Sequence, residues 1–201
     1  MNEEKAMKTR AMRVLMASGM AVLYLGLLAC ATSPPSKSQI DEQRESVRAM
    51  ARQTLDQLYK GDPTTRGVIA TSAGYAVFSD FGMKIIFMGG AGGSGVAINN
   101  TTKQETFMKM AEFQPGLGLG AQKFRVVFVF ETPAAFNSFV TSGWEAGANA
   151  MAAAKSKTMG GGTAGALTVS QGVQMYQINE EGLIVGISLT GAKYYKDKEL
   201  N

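Results

Sequence analysis

Ile40, Val47, Met50, Ala51, Leu55, Leu58 and Tyr59 recur at near-helical spacing, with Asp41, Glu42, Arg44, Glu45, Arg48 and Arg52 mostly on the other face. That pattern predicts an amphipathic helix. Ser38 followed by Asp41 gives a capping-box-like start, and Gly61 with Pro63 gives the stop. Such a helix either packs on its own domain or lies on a membrane surface, and the mixed charge of the polar face favours the first. The period then shortens. YAVF (75–78), KIIFM (84–88), GVAI (95–98), ETFMKMAEF (105–113) and RVVFVF (125–130) read as strands. Thr132 and Pro133 read as N-cap and first turn of a helix through Val140. The Ala-rich WEAGANAMAAAK (144–155) reads as a further helix. ALTVS, VQMYQI and LIVGISL close the chain as three strands, with a turn at 179–182. Strands and helices come in runs rather than in βαβ alternation. The predicted class is α+β: a mainly antiparallel, strongly twisted, Gly-rich sheet packed with an N-terminal amphipathic helix and one or two further helices.

Gly90, Gly92 and Gly95 spell G-x-G-x-x-G after an apolar run. A dinucleotide site needs strand, tight turn and then a helix N-terminus to hold the pyrophosphate. Here Val96 to Ile98 continue as strand and run into Asn99 and Asn100, so the helix half is missing. Gly116, Gly118 and Gly120 repeat at period 2, which leaves one face of a strand bare. The glycines therefore point to close packing against a smooth sheet face rather than to a nucleotide.

The first 29 residues do not read as fold. Lys5, Lys8, Arg10 and Arg13 precede an apolar run from Val14 to Ala29, the layout of a secretory signal. The run ends in Leu27, Leu28, Ala29 and Cys30, which is similar to a bacterial lipobox with Cys30 as the lipid attachment site. An ordinary signal peptide with a chance cysteine, or a short membrane anchor, is the plainer reading. Ala31 after the cysteine resembles the outer-membrane sorting signal. The expected organisation is a lipoprotein signal peptide at 1–29, an acylated tether at 30–39 and one domain at 40–201. The leader holds four of the 20 Lys and Arg and two of the 16 Asp and Glu, so the remainder carries a net charge of about +2. That balance does not call for nucleic acid.

The chain has no histidine, which removes the commonest general base and metal ligand. Its one cysteine is Cys30, so an acylated chain has neither thiolate chemistry nor a Cys/His zinc site. No paired carboxylates, Walker loop or nucleophile elbow stand out. The expectation is a protein that is not an enzyme and needs no cofactor or metal. The remaining signal is basic residues beside aromatics: Lys84; Lys123 and Arg125 flanking Phe124; Lys155 and Lys157; and Lys193, Tyr194, Tyr195 and Lys196. Ammonium groups pair with phosphates and tyrosines suit a headgroup boundary, while the plain alternative for each is a solvated surface.

SAGYAVFSDF, MGGAGGSGVAI, GLGLGAQKFRVVFVF and GLIVGISLTGAKYY, in that order, resemble the SYLF lipid-binding domain, in its bacterial lipoprotein branch. Gly89, Gly90, Gly93, Gly95 and Val96 fit its first glycine run. Gly116, Gly118, Gly120 and Gln122 fit the second, and Gly182, Leu183, Gly186, Ser188, Leu189 and Gly191 fit the closing motif. Ser79 stands where the family has Pro, and Lys84 stands one residue later than the family's Lys. The resemblance implies a lipid-binding module, phosphoinositide-binding in its eukaryotic relatives. Together these readings predict an outer-membrane-anchored periplasmic lipoprotein that binds membrane phospholipid through anionic headgroups. The alternative is an envelope structural lipoprotein that meets a protein partner.

Overall fold

A computed structural model describes residues 35–85, 90–113, 125–146, 165–179, 182–184 and 192–201, with backbone alone at 80–85, 90–91, 112–113, 146, 179 and 182–184. Residues Lys37–Asn201 form one compact unit. It opens with helix α1 (Lys37–Gly61) and a short helix α2 (Thr65–Thr71). Strands β1 (Gly74–Ile85), β2 (Gly90–Asn99), β3 (Glu105–Phe113) and β4 (Arg125–Phe130) follow, then helix α3 (Pro133–Ser142). Strands β5 (Trp144–Ala146), β6 (Leu167–Ser170), β7 (Val173–Asn179), β8 (Gly182–Ile184) and β9 (Ala192–Lys196) complete the described chain. All the strands join one antiparallel sheet in the order β5-β9-β3-β2-β1-β4-β7-β6, with β8 also on β7. The fold is α+β, as the segment pattern predicts.

The sheet is buried on both faces, and strand parity sorts the two cores. On one face Val77, Val96, Phe107, Val127, Val129, Tyr176 and Ile178 meet Val47, Met50, Ala51 and Leu58 of α1 and Ile69 of α2. The apolar stripe of α1 is thus spent on its own domain. On the other face Phe78, Phe128, Phe130, Tyr194 and Met108 pack with Phe136 and Phe139 of α3.

The second core shows how far the sheet curls. Strand β9 lies three places from β1 and four from β4. In a flat sheet those separations would be about 14 and 19 Å. Yet the Tyr194 ring centre lies 4.8 Å from that of Phe78 and 4.9 Å from that of Phe128. Trp144, a further strand away, lies 5.5 Å from Phe128. The sheet therefore folds round its aromatic face into a half-barrel, with α1 on the convex side. Glycine makes the curl possible. Gly95 of β2 sits on the concave face opposite Phe78, and a Cβ there would collide with the Phe78 ring and the Val77 carbonyl. The bare strand is covered by an aromatic side chain from its neighbour.

Local chemistry sets the remaining elements. Thr132 is extended (φ −124°, ψ 148°), and its hydroxyl accepts from the Ala135 N–H at 3.2 Å, with Pro133 next: the predicted N-cap. Gly143 ends α3 at φ +76°, and its N–H donates to the Phe139 carbonyl at 3.0 Å. A side chain there would strike the Tyr194 carbonyl, so glycine alone lets β5 leave the helix against β9.

Three expectations change. YAVF and the start of KIIFM belong to one strand, β1, whose pairing with β2 shifts between Phe81 and Ile85. Ser79, Asp80 and Gly82 look like a break in sequence, but an irregular ladder carries the strand through them. WEAGANAMAAAK does not open as a helix: Trp144–Ala146 pair with β9, because tertiary contact of the Trp144 ring outweighs alanine's propensity. Its later residues lie outside the described set, as do Gly116, Gly118 and Gly120. Helix α2 was not foreseen. Its seven residues include Gly67 and show no full period, and Asp62 sets its start by accepting from the Thr64 N–H at 3.0 Å.

Replacing Gly95 with Val should cost about 3 kcal/mol or more in urea unfolding, through clash with Phe78. At Gly92 a Cβ would meet only the Met110 carbonyl, at 3.8 Å. Gly92→Ala should therefore stay within about 0.5 kcal/mol of the parent.

Candidate functional site

Helix α1 crosses the convex face on a diagonal. Midway along it, Arg48 grips Glu105 at the beginning of β3 through both carboxylate oxygens, at 3.2 and 2.9 Å. Arg44 donates to the Leu200 carbonyl at 2.9 Å, and both guanidinium groups lie over the Phe107 ring, at 5.9 and 5.3 Å. Further along, Gln57 and Gln53 accept from Arg125 at the beginning of β4, at 3.0 and 3.1 Å. Strands β3 and β4 begin at opposite ends of the sheet. Among the described residues, the diagonal leaves one corner of the convex face uncovered, where β2 and β9 begin and β3 ends. Ala111, Lys193 and Tyr195 are exposed there, with Ser94 and Lys109 half-buried.

Strand register splits the basic-aromatic cluster of β9. Lys193 and Tyr195 face outward into the open corner, and Tyr195, 39% exposed, is the exposed large apolar side chain among the described residues. Tyr194 faces the other way. It is 0% exposed at the centre of the aromatic core, so its ring is no surface contact. Lys196 has the parity of Tyr194 but lies exposed at the strand's end, away from the other two. Arg125, four strands from β9, ties the helix to the sheet instead of joining this group. Lys84 lies on β1 inside the irregular stretch, where simple alternation cannot assign its face. Cys30, Lys123, Lys155 and Lys157 lie outside the described residues.

Lys109 is the side chain that sequence reading passed over. Its alternation with Met108 and Met110 marks it as outward, but only register sets it between Ser94 and Tyr195. Its ammonium lies 3.1 Å from Glu199 and 3.4 Å from Asp197. Partial burial pulls its pKa down, and the Glu199 hydrogen bond with the Asp197 charge outweighs this, so it stands above the usual lysine value. Asp197 is 2% exposed, and its carboxylate accepts from the Glu199 and Leu200 N–H groups at 2.9 and 3.4 Å. Asn201 brackets Phe107, accepting from its N–H at 3.1 Å and donating to its carbonyl at 2.7 Å. Together these contacts hold the last turn beside the open corner. Among the described residues no group of acidic or other ligating side chains is placed to hold a metal, and no helix is long and apolar enough to cross a membrane.

A curled antiparallel half-barrel, lined with aromatics and glycines and carrying its helix on the convex side, defines the class: an α+β domain. Residues 111–201 match the family model described as Ysc84, Las17-binding protein actin regulator. A curated protein named Beta cell expansion factor A, from Aeromonas veronii, is 33% identical over 161 residues, 79% of this chain and 59% of the relative. Residues 111–201 are thus similar to the Ysc84 (SYLF) family. It spans about three fifths of the length of the curated relative it matches.

The two adjacent tyrosines should separate cleanly. Tyr194→Ala should lower stability by about 3–5 kcal/mol in denaturant unfolding, as removal of a buried aromatic does. Lys193→Gln and Tyr195→Ser should each change it by no more than about 0.5 kcal/mol.

Proposed function

We propose that the protein is an outer-membrane lipoprotein, held by acyl chains on Cys30, whose SYLF domain faces the periplasm and binds anionic phospholipid headgroups without catalysis. The observation that carries this reading is the outward pair Lys193 and Tyr195 on the uncovered convex corner. An ammonium group beside an exposed phenol suits a phosphate-rich interface. The order apolar leader, Cys30, then a Pro/Ser stretch supports the anchor. Each buried CH₂ of an acyl chain contributes about 0.8 kcal/mol, and two or more chains hold a protein stably. Attachment and recognition are then separate tasks, and the domain's lipid affinity serves selection rather than retention.

A second reading is an envelope protein whose same corner meets a protein partner. The family description, which speaks of Las17 binding and actin regulation, favours protein contact as a family trait. Actin itself is no partner in a periplasm.

Vesicle flotation of residues 31–201, without Cys30, distinguishes the two. That fragment contains every described residue of both cores. The lipid reading expects flotation with phosphatidylglycerol vesicles and none with phosphatidylcholine. Salt at 1 M should release the protein, because the screening length falls to about 3 Å. A fragment that stays at the bottom of every gradient leaves membrane association to the acyl chains, and crosslinking in the envelope then becomes the search for a protein partner.

A further inference from the structure

The open corner carries side chains that register places in one row. Arg125 of β4, Ser79 of β1, Ser94 of β2, Lys109 of β3 and Tyr195 of β9 are successive Cα partners across the sheet. Each has the parity opposite to the aromatic core, so the row lies on the convex face. Helix α1 uses the Arg125 end. The other end is open. In the next outward-facing row, Gly92 pairs with Ala111, Ala111 with Lys193 and Lys193 with Glu145 of β5, an exposed carboxylate more than 4.0 Å from the Lys193 ammonium. Gly92 and Ala111 make a floor without bulk, and Ser94, Lys109, Lys193 and Tyr195 stand along it.

We propose that Ser94, Lys109 and Lys193 form a seat for one phosphate group, that of a phospholipid headgroup, with Tyr195 at its rim and Glu199 as the anion it displaces. This rests on the lipid reading above and names where the headgroup sits. A phosphate needs a hydroxyl or N–H donor and cations within reach: Ser94 and Lys109 are direct cross-strand partners, about 5 Å apart, and Lys193 is the diagonal neighbour of Lys109, about 7–8 Å away and within the span of a long side chain. Among the described residues the Ser94 hydroxyl has no hydrogen-bond partner, and Lys193 has no carboxylate within 4.0 Å. Lys109 is held by two carboxylates of unequal freedom. Asp197 is buried and fixed by backbone N–H groups, whereas the Glu199 side chain is 61% exposed. An arriving phosphate can replace Glu199 at Lys109 while Asp197 keeps the ammonium in place.

The test titrates residues 31–201 with phosphatidylglycerol vesicles. Lys193→Gln should weaken binding about fivefold and Glu199→Gln should tighten it by a similar factor, the effect of one charge near an anionic surface; Ser94→Ala should weaken it about fivefold by losing a charge-assisted hydrogen bond to the phosphate. Lys60→Gln, an exposed site in the last turn of α1, removes the same charge as Lys193→Gln and should leave binding within twofold of the parent, about twofold being the error allowed. If Lys60→Gln weakens binding as much as Lys193→Gln and Ser94→Ala leaves it unchanged, binding is a diffuse charge effect and the seat is overturned while the lipid reading stands. A parallel titration with inorganic phosphate follows the amide NMR signals of Ser94, Lys109 and Lys193. Movement of those signals in a protein that ignores vesicles keeps the phosphate seat and overturns the lipid source. No movement and no vesicle binding overturns both.

Discussion

The contact of Tyr194 with Phe78 and Phe128 is the constraint on which the rest of the structure depends. It joins strands three and four places apart, which only a closed curl permits. Edge-to-face packing of such rings adds about 0.5–1.5 kcal/mol per pair beyond the area they bury. Phe130, Phe136, Phe139 and Trp144 extend the same cluster, so the concave face is filled by rings. Gly95 is the complement of that filling: where Phe78 lies, the neighbouring strand has no side chain to give.

The convex face follows from this choice. A sheet curled toward its aromatics presents an outward curve that one straight helix covers only along a diagonal. Arginines fix the diagonal at two points: Arg48 to Glu105 midway along the helix, and Arg125 to Gln53 and Gln57 further on. What the helix leaves bare is the corner of β2, β3 and β9. The stability of the domain and its exposed chemistry therefore occupy different places. The aromatic core and the helix carry the fold, and the open corner is free to bear polar and charged side chains. The last turn borders both, with Leu200 buried under α1 and Glu199 reaching Lys109.

Much of the architecture was legible because period and punctuation are local properties. The α1 stripe, the Thr132-Pro133 start of α3, the strands and the α+β class all rest on residues within a few positions of one another. The glycine run, read as close packing and not as a phosphate cradle, also held: the Phe78 ring and the Val77 backbone carbonyl both crowd Gly95. The misreadings share a cause. Trp144 joins a strand and β1 runs on past Ser79 and Asp80 because of partners far along the chain. The basic-aromatic segment of β9 looked like one patch in sequence, yet alternation sends Tyr194 inward and Lys193 and Tyr195 outward.

By itself the sequence determined the class of fold, the family resemblance and the absence of histidine chemistry, since composition, spacing and motif order need no third dimension. Only the tertiary structure decided which polar and cationic side chains share a surface. Ser94, Lys109 and Lys193 come from three strands, and no pattern along the chain brings them together. Register does, and register is set by the curl, which in turn is set by rings meeting across the barrel.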